Sequence, residues 1–276
     1  MIPRAHITAW RSTAPWTTDA QVEQDLVISR ALVDLYRDDL LTRELAFRGG
    51  TALQKLHFDP PVRYSEDIDL VQVNPGPIGP VLQAMRSCLD PWLGEPRWKQ
   101  SQGRATFVYR FDSEAKPVTP LKLKVEINTR EHFSVLGLRR ARFQVDNPWF
   151  RGEADILTFG PEELLGTKVR ALYQRKKGRD LFDLSVALSS LPDLDAQAIV
   201  DCFLRYMEHD GLRVTRTQFE QNLAEKMDDD VFLRDVPPLL VSGTSYDPHR
   251  ALDLIQRALI SKLPEGASQS RGHGAS

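Results

Sequence analysis

The cleanest alternation in the chain runs from Leu121 to Ile127, where Leu121, Leu123, Val125 and Ile127 are separated by Lys122, Lys124 and Glu126. A period of two puts the apolar side chains on one face of a strand and the charged ones on the other. Residues 105–111 and Ile68-Asp69-Leu70-Val71 read as strands on the same ground, and Leu45-Ala46-Phe47 is a shorter apolar segment. Helical spacing governs most of the rest. After an arm containing Trp10, Pro15 and Trp16, Thr18 or Asp19 can cap a helix. Val22, Leu26, Ala31, Val33 and Tyr36 give it an apolar side to about residue 38. Leu53 and Leu56 predict a helix that Asp59-Pro60-Pro61 stops, and Val81, Leu82, Met85 and Leu89 predict another. From Pro161 onward the pattern is helical over 161–176, 180–190, 195–208, 215–227 and 248–262. The Gly-, Ser- and Ala-rich stretch from Pro264 to Ser276 predicts a disordered tail. The expectation is an α+β protein: an α/β lobe over 1–155, a helical lobe over 156–263 and a tail over 264–276.

Composition narrows the class without naming a function. The chain has 276 residues, 36 Lys+Arg against 38 Asp+Glu and a formal net charge of −2, which excludes a binder that is basic overall. Local basic surfaces stay open. Cys88 and Cys202 lie far apart among apolar neighbours, so buried free thiols are expected rather than a disulfide or a zinc site. No apolar run is long enough to cross a membrane, and the start lacks the apolar core of a signal peptide, so a cytoplasmic protein is expected.

The sharpest chemistry lies in Ser65-Glu66-Asp67-Ile68-Asp69. On a strand, Asp67 and Asp69 point to one side, where two ionised carboxylates repel unless a proton or a cation intervenes. Mg²⁺, usually held by one or two carboxylates together with substrate phosphates, suits such a pair. An isolated DxD is more often a solvated strand face, and it is the upstream context that changes the balance. Upstream, Phe47-Arg48-Gly49-Gly50-Thr51 places two glycines between a strand and a helix. Backbone N–H groups there can approach an anion, and Thr51 can cap the helix or donate to a phosphate. Glu126 is either a third metal ligand brought in by a neighbouring strand or a surface acid among lysines.

A second cluster follows. Lys168, Arg170, Arg175, Lys176, Lys177 and Arg179 crowd into twelve residues, behind a helix start at Gly160-Pro161-Glu162-Glu163. Lys168 sits within the apolar stretch Leu164, Leu165, Val169 and Leu172, where its ammonium can reach into a cleft as a phosphate ligand. Asp180 and Asp183 share a helix face and either orient these bases or join the reaction.

Phe47-Arg48-Gly49-Gly50-Thr51-Ala52-Leu53 followed by Arg63-Tyr64-Ser65-Glu66-Asp67-Ile68-Asp69-Leu70 resembles the first motif of the AbiEii/AbiGii nucleotidyltransferase-like toxins. That family includes the MenT toxins, within the DNA polymerase β-type nucleotidyltransferase superfamily. Lys168-Val169-Arg170-Ala171-Leu172 and Arg175 to Leu184 resemble its downstream motif, and the likeness spans about residues 20–260. It implies a polymerase β-type core with a mixed sheet and a helical C-terminal lobe. It also implies Mg²⁺-dependent use of an NTP, and a toxin partnered by a cognate antitoxin. RNA, foremost the tRNA 3′ end, is the implied acceptor, and its modification blocks translation. By motif position Ser65 and Asp67 match the family's serine and catalytic aspartate, and Asp69 matches the second metal carboxylate. Lys168 matches the active-site lysine, and either Asp180 or Asp183 the later aspartate. Arg48, Gly49, Gly50, Thr51, Ser65 and Lys168 are the implied nucleotide contacts. Glu126 departs from the aspartate more usual in the superfamily. A protein or small-molecule acceptor, and a non-catalytic NTP- or RNA-binding protein, are the competing readings.

Overall fold

The computed structural model describes residues 2–114, 116–241 and 243–265. Residues 266–276, most of the expected disordered tail, lie outside them. The described chain divides into two units: residues 2–164 with Pro237–Tyr246, and Leu165–Val236 with Asp247 onward.

The first unit is built on a seven-stranded mixed sheet. In chain order its elements are α1 Arg4–Trp10, α2 Asp19–Tyr36, α3 Leu41–Glu44, β1 Leu45–Arg48, α4 Gly49–Leu56 and β2 Asp67–Gln72. They continue with α5 Gly79–Leu93, β3 Arg97–Ser101, β4 Arg104–Asp112, β5 Pro120–Asn128, β6 Leu138–Asn147 and β7 Phe150–Phe159. The strand order is β3-β4-β5-β2-β1-β7-β6. β2 runs parallel to β5 and β1 parallel to β7, and the other pairings are antiparallel. Alternation decides the two faces. Leu121, Leu123, Val125 and Ile127 are buried with Phe107 and Tyr109 of β4 and Ile68 of β2, while Lys122, Lys124 and Glu126 face outward.

Thr18 caps α2 through a reciprocal capping box with Gln21, which fixes the helix start where the sequence places it. The Trp- and Pro-containing arm is not loose: Ile7 and Trp10 of α1 are buried. The indole N–H groups of Trp10 and Trp16 donate to the two oxygens of buried Asp25, at 2.8 and 3.0 Å. Lys55 Nζ, 2.6 Å from Oδ1, supplies the opposing charge a buried carboxylate needs.

The second unit is helical: the body of α6 Pro161–Gln174, then α7 Gly178–Ser190, α8 Ala196–His209, α9 Arg216–Met227, α10 Asp230–Leu233 and α11 Pro248–Ala258. Asp195, Thr215 and Asp247 cap α8, α9 and α11 through their side chains. Cys202 is buried on α8 as expected, but Cys88 on α5 is only half-buried, because its position lies at the rim of the apolar stripe.

Candidate active site

At the end of β1 the chain turns through Gly49 straight into α4. Gly49 has φ +81°, and a Cβ built on it would overlap the Asp69 carboxylate. Glycine therefore serves twice here, by tolerating the left-handed backbone and by letting that carboxylate lie against the turn. Gly50 is open for a similar reason, since the buried Arg63 guanidinium occupies the space a side chain would need.

Thr51, fully buried on the first turn of α4, ties this turn to the next strand. Its hydroxyl donates to the Asp67 carbonyl and lies 2.8 Å from Ser65 Oγ. With one proton committed to the carbonyl, it is left to accept from Ser65. The Gly-Gly-Thr turn and the Ser-Glu-Asp segment thus form one hydrogen-bonded unit.

Strand register then sets the charges. β2 pairs with β1 so that Asp69 faces Arg48, and with β5 so that Asp67 faces Lys124 and Asp69 faces Glu126. All five side chains therefore share the face opposite the apolar core. Lys124 Nζ lies 2.8 Å from Glu126 Oε2 and 3.6 Å from Asp67 Oδ2. Burial alone would lower the Lys124 pKa, but the Glu126 hydrogen bond and the charges of Asp67, Glu126 and Asp69 outweigh it and raise it. Arg48 makes an ion pair with Glu131. Asp67 Oδ1 is buried and receives no hydrogen bond from the protein.

That bare oxygen is the test of a cation. Among the described residues no group of three or more His, Cys, Asp or Glu is gathered to hold a metal. Two carboxylates on one strand face, one with an unused buried oxygen, still fit a hard cation that takes its remaining ligands from phosphates and water. Glu126 is in register with Asp69, yet its hydrogen bonds run to Lys124, Arg104 and Thr106.

Lys168, Asp180 and Asp183 come together inside the second unit. Lys168 Nζ is 3.0 Å from Asp180 Oδ1 and 3.1 Å from Asp183 Oδ2, and all three are buried. Arg175 Nε also reaches Asp180, at 2.7 Å. Burial would raise the Asp180 pKa, but Lys168 and Arg175 prevail and pull it down to about 2. Both aspartates therefore hold the lysine, and Asp180 also holds Arg175.

Sequence reasoning did not single out Lys124 and Arg63. Lys124 is one of two lysines alternating with apolar residues, and its place beside Asp67 follows from the β2–β5 register, which no local pattern encodes. Arg63 precedes the carboxylate motif but is buried against Gly50.

The family model described as nucleotidyl transferase AbiEii toxin, type IV toxin–antitoxin system, matches residues 30–254. The chain belongs to the AbiEii family. It is thus a nucleotidyltransferase toxin of a toxin–antitoxin system by family. Among solved structures it is similar to MenT4, a nucleotidyltransferase toxin from Mycobacterium tuberculosis H37Rv. That likeness has a TM-score of 0.60 and 15% identity over 93% of this chain and 95% of that one. JHP933 from Helicobacter pylori gives a TM-score of 0.53 and 16% identity over 86% of this chain and 89% of that one. At such identities the likeness is one of fold, and it agrees with the mixed sheet and helical second unit of this AbiEii chain. No curated protein sequence matches it.

Proposed function

We propose that this AbiEii-family chain transfers a nucleotidyl group from an NTP to an RNA 3′ end, foremost that of tRNA, in the cytoplasm. Its activity blocks translation and is countered by a cognate antitoxin. The observation that carries the reading is the buried, unpartnered Asp67 Oδ1 on the strand face it shares with Asp69, beside the glycine turn. Asp67 and Asp69 are the residues to hold Mg²⁺. When bound, it would neutralise phosphate charge and favour the hydroxyl's deprotonated form.

The chain's own groups do the rest. Gly49 and Gly50 open α4, whose first N–H groups have no acceptor within the helix, so they would be available to a triphosphate, and the helix dipole favours its negative charge. Thr51 keeps Ser65 fixed at the edge of that cradle. Arg48, on the same face and anchored by Glu131, adds positive charge beside Asp69. Lys124, held by Glu126, limits the mutual repulsion of the carboxylates. We assign Glu126 this positioning role. The acceptor hydroxyl attacks the α-phosphorus, the bond to the β-phosphate oxygen breaks, and pyrophosphate leaves. Lys168 and one of Asp180 or Asp183 are nominated by the family motif alone.

Incubation with labelled NTPs, Mg²⁺ and total RNA tests this. Label should enter RNA with the wild type and not with Asp67→Ala. Label in protein with none in RNA would move the acceptor. No label anywhere, with equal toxicity of the wild type and Asp69→Ala in cells, would reduce the chain to a binder. No helix among the described residues is long and apolar enough to cross a membrane.

A further inference from the structure

The face of the sheet that carries Asp67 and Asp69 does not end at Lys124. Register extends it outward: Lys124 pairs with Val108 of β4, and Val108 with Arg97 of β3. Glu126 pairs with Thr106, and Thr106 with Lys99. Farther along the same strands, Lys122 pairs with Arg110. Arg97, Lys99, Arg110 and Lys122 therefore stand on one face with the carboxylate pair, and all four are exposed.

What distinguishes these four is their lack of acid partners. Lys124 and Arg104 on this face are tied to Glu126, but among the described residues none of the four makes an ion pair. Asp112 lies beyond Arg110 at the end of β4. With strands spaced about 4.8 Å apart, the face reaches roughly 14 Å from Asp67 to Arg97. A solvated surface with mixed charges would place acids among these bases; here the acids gather at one end and uncompensated bases continue to the sheet edge.

Resting on the reading of the chain as a nucleotidyltransferase, we propose that this β3–β4–β5 face is the platform that holds the sugar-phosphate backbone of an RNA acceptor, leading its 3′ end toward Asp67 and Asp69. Charge carried at every residue of the partner is what a run of unpaired cations fits. A folded protein partner would call for an apolar centre. Between the bases stand only Thr106 and Val108, both half-buried. The contacts are to backbone, so they hold register and leave sequence choice elsewhere.

The test is the double variant Arg97→Glu/Lys99→Glu, at the edge strand far from the carboxylates, alongside Arg97→Lys/Lys99→Arg. Circular dichroism and melting confirm folding. With the wild type, KM for the RNA acceptor and kcat are measured from 50 to 200 mM salt, and NTP binding is measured without RNA. The charge-reversed variant should bind NTP as the wild type does and keep kcat at saturating RNA. Its KM for RNA should rise by roughly tenfold or more, and its salt slope should fall by about 1.5, as for two lost single-strand phosphate contacts. The charge-conserving variant should match the wild type. Unchanged KM and salt slope in the reversed variant, while the wild type labels RNA, would overturn the platform and leave the activity standing. A wild type that labels an acidic protein instead, with KM for that protein raised by the reversal, would overturn RNA as the occupant. A wild type that labels nothing would refute the underlying activity first.

Discussion

Gly49→Ala separates the two reasons for a glycine at the phosphate turn. Its φ is +81°, and its missing side chain leaves room for the Asp69 carboxylate. Gly211, which follows α8 at φ +74° in a helix-ending turn, has a similar backbone need but open space around it. Holding an alanine in the left-handed region costs about 1–2 kcal/mol, so both substitutions should lower stability by that amount. For a chain of this size that is a fall of a few degrees in Tm, about 2–4 °C per kcal/mol. The added methyl at Gly49 must also push the Asp69 carboxylate aside. A displacement of about 1 Å in a positioned reactive group can lower turnover about 100-fold. Thermal melts paired with nucleotide-transfer rates check this. Both variants should melt a few degrees low, Gly211→Ala should keep near-normal turnover, and Gly49→Ala should lose about two orders of magnitude. Equal activity of the two variants would refute the reasoning, because it would mean that the position of Asp69 against the turn does not matter to the reaction.

Two further outcomes follow from buried charges. Burial pushes the Glu23 carboxyl up to about 7, and its Oε1 has no partner while Oε2 accepts from the Glu114 N–H at 3.0 Å. A raised folded-state pKa means that this contribution is fully present below about 4.5 and is lost as pH rises through about 7. Melting the wild type and Glu23→Gln from pH 4.5 to 8 should show the glutamine variant gaining on the wild type as pH rises, by up to about 3 kcal/mol. Asp180→Ala should cost about 3–5 kcal/mol in denaturant unfolding at pH 7, because Lys168 and Arg175 lose the carboxylate between them. The depressed pKa of about 2 places the loss of this contribution in the wild type at the acid end, as pH falls from about 4 through 2.

What could be read in the sequence was what depends on neighbours along the chain. The period-two stretches became β4 and β5 within a residue at each end, and the helices from Pro161 onward fell close to their expected bounds. Gly-Gly-Thr and DxD were recognisable because their spacing itself carries the chemistry. β3 went unread since all five of its residues are exposed, leaving no apolar alternation. β6 went unread because arginines dominate an edge strand where only Val145 and Asn147 are buried. α1 escaped notice because its burial rests on Trp10 reaching Asp25, fifteen residues away. The site divides on the same line. Asp67 and Asp69 share a face by local geometry, whereas the placing of Lys124, Glu126 and Arg48 around them depends on pairings between strands distant in sequence.

The charge balance takes on meaning only through that register. A total of −2 is compatible with acids and bases scattered evenly or with the two signs sorted. The first unit sorts them: alternation puts every charged residue of β5 on one face, and pairing carries the same face across β2, β4 and β3. The acids at its β2 end are only partly answered, since Lys124 serves both Glu126 and Asp67 while Asp67 Oδ1 stays bare. Leaving a buried acceptor unpaired costs about 1–3 kcal/mol, a cost that selection for stability alone would remove by one more lysine or serine nearby. Unpaired bases at the other end of the face leave a complementary demand for anions. On the proposed reading, such a surface would be completed by a metal at the carboxylates and a polyanionic RNA backbone along the bases. A metal alone, or an anion alone, would leave one of the two ends unanswered.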